Sequence, residues 1–215
     1  MDSTLIQQEV IDLLAAYAGM EALVAEITER AMNGELDFAA SLRERVGLLN
    51  GTDVRVFEKL KARVTLMPGA QTLVRVLKRK GVKTAVLSGG FTPLAEWLAE
   101  RLGLDYVHAN FLQVDNMGLL TGALEKGKPI VDAEFKRDRL LSLAEELGIG
   151  VEQVLAVGDG ANDLLMLGAA GMGVAVNAKE KVQREAPGRL NGEGALGDVL
   201  YLLGLTSDEI DELAG

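Results

Sequence analysis

The stretch Val154-Leu155-Ala156-Val157-Gly158-Asp159-Gly160-Ala161-Asn162-Asp163-Leu164-Leu165, residues 154–165, decides the fold class. A short apolar run ends in Gly-Asp-Gly and passes at once into a helical pattern from Asp163 to Ala170. The same grammar recurs around it. Upstream lies an expected helix, Glu134 to Leu147. Downstream lies a second apolar strand, Gly173 to Val176. Working back, Ala70 to Lys80 reads as an amphipathic helix, and Val82 to Leu87 as a strand that ends in the turn Ser88-Gly89-Gly90. Pro93 to Leu102 reads as a helix, Tyr106 to Ala109 as a strand, and Asn116 to Thr121 as the region of a hairpin. Strands and helices alternating at these lengths predict a doubly wound, Rossmann-like α/β core with a parallel sheet covered on both faces.

Before Met67-Pro68-Gly69 the pattern is helical throughout. Apolar residues from Ile6 onward recur at three- and four-residue steps, punctuated by Gly19 and Gly34. Asp37 is placed to cap a helix beginning at Phe38, and a further helix runs from Val54 to Val64. The expected organisation is a core of residues 1–7 and 67–215 with a small helical insertion, residues 8–66.

Composition narrows the function. The chain has 215 residues, no cysteine and a formal net charge of −10. Disulfides and thiolate metal sites are excluded, and an acidic chain is a poor partner for a phosphate backbone. The basic run Leu77-Lys78-Arg79-Lys80-Gly81 reads as a helix end, where cations complement the dipole. No apolar stretch reaches the roughly 18 to 20 residues of a membrane span, and no basic segment followed by an apolar one marks a secretory signal. The expectation is a cytoplasmic protein, monomer or homodimer, that acts on a small molecule and binds neither nucleic acid nor membrane.

Ligands of open α/β sheets gather beyond the carboxyl ends of the strands. Three polar turns fall at such places: Asp2-Ser3-Thr4, Ser88-Gly89-Gly90 and the Gly158–Asp163 turn. A hydroxyl followed by two glycines brings backbone N–H groups to an anion, though an ordinary strand-to-helix turn reads the same way. Asp159, Asn162 and Asp163 make an oxygen-rich group suited to Mg2+; alternatively Asp163 caps a helix and Asp159 forms a turn. Lys136, taken alone, reads as a solvated helix residue. His108, the lone histidine, reads as a strand-end residue without a metal role, Trp97 as packing, and the tail from Thr206 as a capped acidic helix or a frayed end.

Taken in order, Asp2-Ser3-Thr4, Ser88-Gly89-Gly90, a helix-borne Lys136 and GDGAND (158–163) resemble the haloacid dehalogenase-like phosphatases. IQQEVID (6–12) and ERAMNGELDFAASLRERV (29–46) are similar to the phosphoserine phosphatase branch. GDGAND is also found in cation-pumping ATPases, which the lack of membrane spans argues against. The resemblance implies a haloacid dehalogenase-like core with a helical cap, and Mg2+-dependent hydrolysis of phosphoserine to serine and phosphate, as in serine biosynthesis, through an aspartyl-phosphate.

Residue by residue, it implies Asp2 as general acid/base and, through its backbone carbonyl, as a metal ligand. It implies Asp159 as the Mg2+ carboxylate and Asp163 as the acid behind it. Ser88, Gly89, Lys136 and Asn162 would hold the phosphate, Ser88 and Lys136 also serving catalysis. Glu9 would hold the substrate amino group and Arg45 its carboxylate, with Met32 and Phe38 as an apolar wall; without the resemblance Glu9 and Arg45 read as surface charges.

The family's first motif is Asp-x-Asp-Ser-Thr after a central strand. Asp2 is its second aspartate and Met1 its x, so the nucleophile would stand directly before Met1, with the first strand ahead of it. Three expectations follow: an enzyme whose sequence starts inside this motif, a truncated phosphometabolite-binding protein without turnover, or a phosphatase for another small phosphomonoester. The 215-residue chain is expected to be inactive and to fold poorly around a gap in its sheet.

Overall fold

Four helices occupy the first part of the chain: α1 (Val10–Ala18), α2 (Glu21–Met32), α3 (Phe38–Gly47) and α4 (Val56–Lys61). They are broken where the chemistry requires. Gly19 ends α1 in the left-handed region at φ 69, which costs glycine nothing. The Asp37 carboxylate accepts the Ala40 N–H and caps α3. The structure, a computed structural model, describes all 215 residues. The helical segment leaves and rejoins the rest of the chain at one place. Ile6 and Leu66 form an antiparallel bridge, flanked by Gln7 N–H donating to Thr65 O (3.0 Å) and Met67 N–H to Leu5 O (2.9 Å).

Beyond Met67 the order is α5 (Ala70–Arg79), β1 (Ala85–Phe91), α6 (Thr92–Leu102), β2 (Tyr106–Asn110), β3 (Leu112–Val114), β4 (Leu120–Leu124), α7 (Ala133–Glu146), β5 (Leu155–Gly158), α8 (Leu164–Ala169), β6 (Met172–Val176), α9 (Glu180–Glu185), β7 (Gly188–Leu190), α10 (Ala195–Leu202) and α11 (Ser207–Ala214). The α/β class is as expected. β1 pairs parallel with β2, and β5, β6 and β7 form a second parallel set. No strand joins β1 to β5, so the parallel strands stand as two sheets. β3 and β4 form an antiparallel hairpin. It is tied to the helical segment by an Asp53–Leu119 bridge and by Gly51 N–H donating to Leu120 O at 2.8 Å.

β6 is buried on both faces from Gly173 to Val176, and its side chains alternate between two packed layers, as a doubly covered sheet demands. Val174 and Val176 pack with Leu73, Leu196 and Val199 of α5 and α10. Ala175 packs on the other face with Leu140 of α7 and Leu167 of α8. A third cluster joins the helical segment to the core through Leu14, Leu49, Leu60, Phe91 and Leu94. No helix is long and apolar enough to cross a membrane.

Two expectations are corrected and one alternative is resolved. Ser88-Gly89-Gly90 is not a turn after the strand: β1 runs through it to Phe91. Its register slips, four steps of β1 between Leu87 and Phe91 matching two of β2 between His108 and Asn110. The glycines let the backbone bulge without leaving the sheet. His108 lies within β2 rather than at its end, and accepts the Arg139 Nε–H at 2.8 Å. The tail is a helix, not a frayed end, because Thr206 and Glu209 cap it reciprocally.

Candidate active site

One small polar cavity, about 120 Å3, opens where the helical segment meets the ends of β1 and β5. The turn at the start of the chain forms its floor. The Met1 carbonyl accepts three backbone N–H groups, from Thr4 (3.3 Å), Leu5 (2.7 Å) and Ile6 (3.1 Å). This winding puts Ser3 at φ 52, a conformation that non-glycine residues seldom take and that gathers at functional sites. The three side chains then diverge. Asp2 Oδ2 accepts the Val10 N–H at 3.2 Å, at the positive end of α1, while its Oδ1 is buried without a hydrogen-bond partner. Ser3 Oγ donates to Glu9 Oε1 at 2.5 Å. Thr4 Oγ1 donates to Asp159 Oδ1, 155 residues away.

The bulged end of β1 forms one wall. Ser88 is buried, and its Oγ accepts the Gly90 N–H at 2.9 Å. The two glycines leave little space beside them. A Cβ on Gly89 would stand 2.9 Å from Phe38 Cζ, and one on Gly90 3.0 Å from Met1 Cε and 3.2 Å from Asp2 Oδ2. The strand is anchored from behind by buried Asn110, whose Nδ2 donates to Gly89 O (2.8 Å) and whose Oδ1 accepts the Val131 N–H (2.9 Å).

The opposite wall is the Gly158–Asp163 turn. Asp163 Oδ1 accepts from Lys136 Nζ at 2.8 Å, both side chains almost wholly buried. Asp163 Oδ2 takes the N–H groups of Asp159 and Gly160, each at 3.1 Å, so one carboxylate braces both the lysine and the turn. Burial pushes the Asp163 carboxyl up, but the adjoining ammonium outweighs it and holds it below the ordinary range. Asp2, Glu9 and Asp159 are raised instead, burial being the leading cause in each. These acids crowd one space with a single buried ammonium side chain among them.

The family follows from the chain as a whole. A haloacid dehalogenase-like hydrolase model matches residues 1–171. The chain belongs to the haloacid dehalogenase-like hydrolases. It is 51% identical over 211 residues to a phosphoserine phosphatase of Saccharomyces cerevisiae, an alignment covering 98% of this chain and 67% of that one. It is equally 51% identical over 211 residues to one of Streptomyces coelicolor, covering 98% of this chain and 50% of that one. The chain thus spans between half and two thirds of these two relatives. Among solved structures it is similar to a substrate-bound phosphoserine phosphatase complex, at a TM-score of 0.86 and 39% identity over 94% of both chains. It is also similar to a phospho-aspartyl intermediate analogue of phosphoserine phosphatase, at a TM-score of 0.85 and 39% identity over 94% of this chain and 95% of that one.

In this haloacid dehalogenase-like hydrolase the cavity gathers Asp2, Glu9, Phe38, Arg45, Ser88, Gly89, Lys136, Asp159, Asn162 and Asp163. Met32 is not with them. It ends α2, is 66% exposed, and lies against Lys179 Nζ at 3.6 Å. The Arg45 Nε donates to Ser41 O of its own helix at 3.3 Å. Burial lowers this guanidinium's pKa, against the opposing charges of Asp12 and Glu9. Gly90, Thr4 and Asn110 belong to the site's framework as well. Thr4 and Gly90 stood inside the motifs without a role, whereas Asn110 carried no signal along the chain.

The oxygen donors suit a hard divalent cation. No three acidic or histidine side chains cluster tightly enough to hold a metal unaided. Mg2+ commonly takes only one or two carboxylates and keeps several waters. Asp159, with the unpartnered Oδ1 of Asp2 beside it in the cavity, offers that kind of donor set.

Proposed function

We propose that this chain carries the catalytic body of a Mg2+-dependent phosphatase that hydrolyses phosphoserine to serine and phosphate, with residues 8–66 as a substrate-selecting cap. The observation that supports this most is the charge layout of the cavity. Glu9 and Arg45 line the same small space as Ser88, Lys136 and Asp159. A phosphorylated amino acid presents a phosphate at one end and an ammonium and a carboxylate at the other. An anion-binding wall facing one acid and one base is the matching set.

The nucleophile we assign is an Asp carboxylate placed directly before Met1. Its oxygen attacks phosphorus while the bond from phosphorus to the serine oxygen breaks, giving an aspartyl-phosphate. Asp2, kept protonated more readily by burial, gives its proton to the departing serine oxygen. It then takes a proton from the water that attacks phosphorus in the second step, as the bond from phosphorus to the Asp oxygen breaks and phosphate is released from the regenerated carboxylate. Lys136 and the N–H groups near Gly89 hold the phosphoryl oxygens, and Asp163 keeps Lys136 in place. Asp159 and the Asp2 carbonyl would hold Mg2+, which would supply further neutralisation of the phosphate charge. The test is phosphate release from phosphoserine by a chain carrying that Asp. Release no faster than from phosphoethanol would overturn the substrate assignment.

Arg45→Ala separates phosphoserine from other phosphomonoesters. Loss of a charge-assisted hydrogen bond, worth about 1.5–3 kcal/mol, is expected to lower kcat/KM for phosphoserine by roughly 10- to 150-fold. Phosphoethanol, which has no carboxylate, should lose less than about threefold. Equal losses would point to a different substrate.

Metal and pH act through the raised acids. For Asp2, Glu9 and Asp159 the folded pKa lies above the ordinary one. In the window between the two values the folded chain holds protons that the unfolded chain releases, so stability falls as pH rises through it. Burial and the neighbouring acids both disfavour the charged carboxylates here, and a bound cation would favour them. Saturating Mg2+ is expected to raise the melting temperature by about 5–10 °C near pH 7. Near pH 4, where protons compete for the same oxygens, the shift should fall below about half of that. Thermal denaturation with and without Mg2+ reads both, and equal shifts would contradict the assignment.

A further inference from the structure

We propose that Thr4 is a positioning residue for the metal-binding carboxylate, its hydroxyl fixing one oxygen of Asp159 so that the other is left for the cation. The inference rests on the reading that Asp159 binds Mg2+. Thr4 is 7% exposed, and its hydroxyl spends its proton on Asp159 Oδ1, the one side-chain hydrogen bond this carboxylate receives. The Asp159 backbone N–H is already committed to Asp163 Oδ2 at 3.1 Å, so it does not serve its own side chain.

A buried carboxylate with two free oxygens can rotate, bind a cation through both oxygens, or take up a proton. A hydroxyl on one oxygen blocks the first two and favours the charged form that a metal requires. Threonine suits this task better than serine, since branching at Cβ restricts the side-chain torsion and keeps the hydroxyl aimed. The backbone around Thr4 is equally constrained, through the N–H groups of residues 4 to 6 that converge on the Met1 carbonyl. The bond also joins two turns 155 residues apart, so the starting turn and the Gly158–Asp163 turn are set against each other by the group that orients the ligand.

Partners that orient a metal ligand are typically worth 10- to 100-fold in metal affinity. The test is Mn2+ binding to the 215-residue chain, followed by electron paramagnetic resonance, with Mg2+ as competitor. Thr4→Val keeps the shape and removes the donor. It is expected to weaken Mn2+ binding by about 10- to 100-fold, with the melting temperature in chelator unchanged or higher. Thr4→Ser restores the donor and should bind within about threefold of the unaltered chain, a rescue that a packing role would not give. If Thr4→Val does not fold, Thr4→Cys, a weak donor of similar size, is read in its place and should lose at least about tenfold. Unchanged affinity in the variant read would overturn the inference. Asp159→Asn distinguishes the two layers of the argument. If it binds Mn2+ as well as the unaltered chain, or if the unaltered chain takes up none, the metal assignment itself fails. If Asp159→Asn loses binding while Thr4→Val keeps it, only the role of Thr4 fails.

Discussion

The polypeptide of residues 1–215 is expected to release no phosphate from phosphoserine, and an apolar strand ending in Asp placed directly before Met1 is expected to confer turnover. The gain should be on the order of 10^4- to 10^6-fold, the scale on which removal of a nucleophile acts. Two features support this. Met1 lines the same cavity as Asp2, Ser88 and Gly90, so a residue joined to it would enter next to the proposed phosphate site. Moreover β1 and β5 belong to separate sheets, and each is an edge strand of its own sheet. A buried group left unpaired costs about 1–3 kcal/mol, set against a total stability of about 5–15 kcal/mol. The added strand should therefore also raise the urea midpoint, and the chain without it should self-associate through those edges. Phosphate release and sedimentation on the two polypeptides, with a third in which the added Asp is Asn, settle the matter. A third polypeptide that gains the stability yet stays inert is the expected pattern. Turnover by residues 1–215 alone would refute the assignment.

The second large effect concerns Lys136. Lys136→Met leaves Asp163 buried beside an apolar side chain, and removal of one partner from a buried pair costs about 3–5 kcal/mol. For a chain of this size that corresponds to a fall of about 10 °C in melting temperature. Asp163 has a second duty, since its Oδ2 receives the Asp159 and Gly160 N–H groups. Replacing the pair by two apolar residues would orphan those groups. Lys136→Met with Asp163→Asn removes the charge while keeping an acceptor, and is expected to recover more than half of the loss. Urea denaturation of the two variants measures it. If the double variant is no more stable than Lys136→Met, the stranded charge is not the source of the loss.

How far these features could be read from the chain depended on whether their causes were local. The VLAVGDGAND stretch carries strand, turn and helix signals side by side, so β5, its polar turn and α8 were plain before any geometry. The α/β class followed from the same alternation. What failed was long-range or too short to signal. Ser88-Gly89-Gly90 reads as a turn by composition, yet pairing with β2 draws it into the strand. Met32 keeps the helical period, but where the end of α2 points is set by packing of the helices against one another. Thr4 and Asn110 act on partners 155 and 21 residues away, a relation no periodicity records. β7 has three residues, and α10 begins after Gly194 with no side-chain cap, so neither announces itself.

The Phe38 ring at the start of α3 approaches the bare peptide of Gly89 so closely that an added β-carbon would lie 2.9 Å from its edge. The insertion thus touches the core beside Ser88 through one aromatic ring laid directly on backbone. Glycine there acts as a gauge of zero thickness: any larger residue would press on the Phe38 ring, and the ring or the helix that carries it would have to give way. On the proposed assignment, the fit of the insertion over the cavity would change even though none of the charged groups lining it had been replaced.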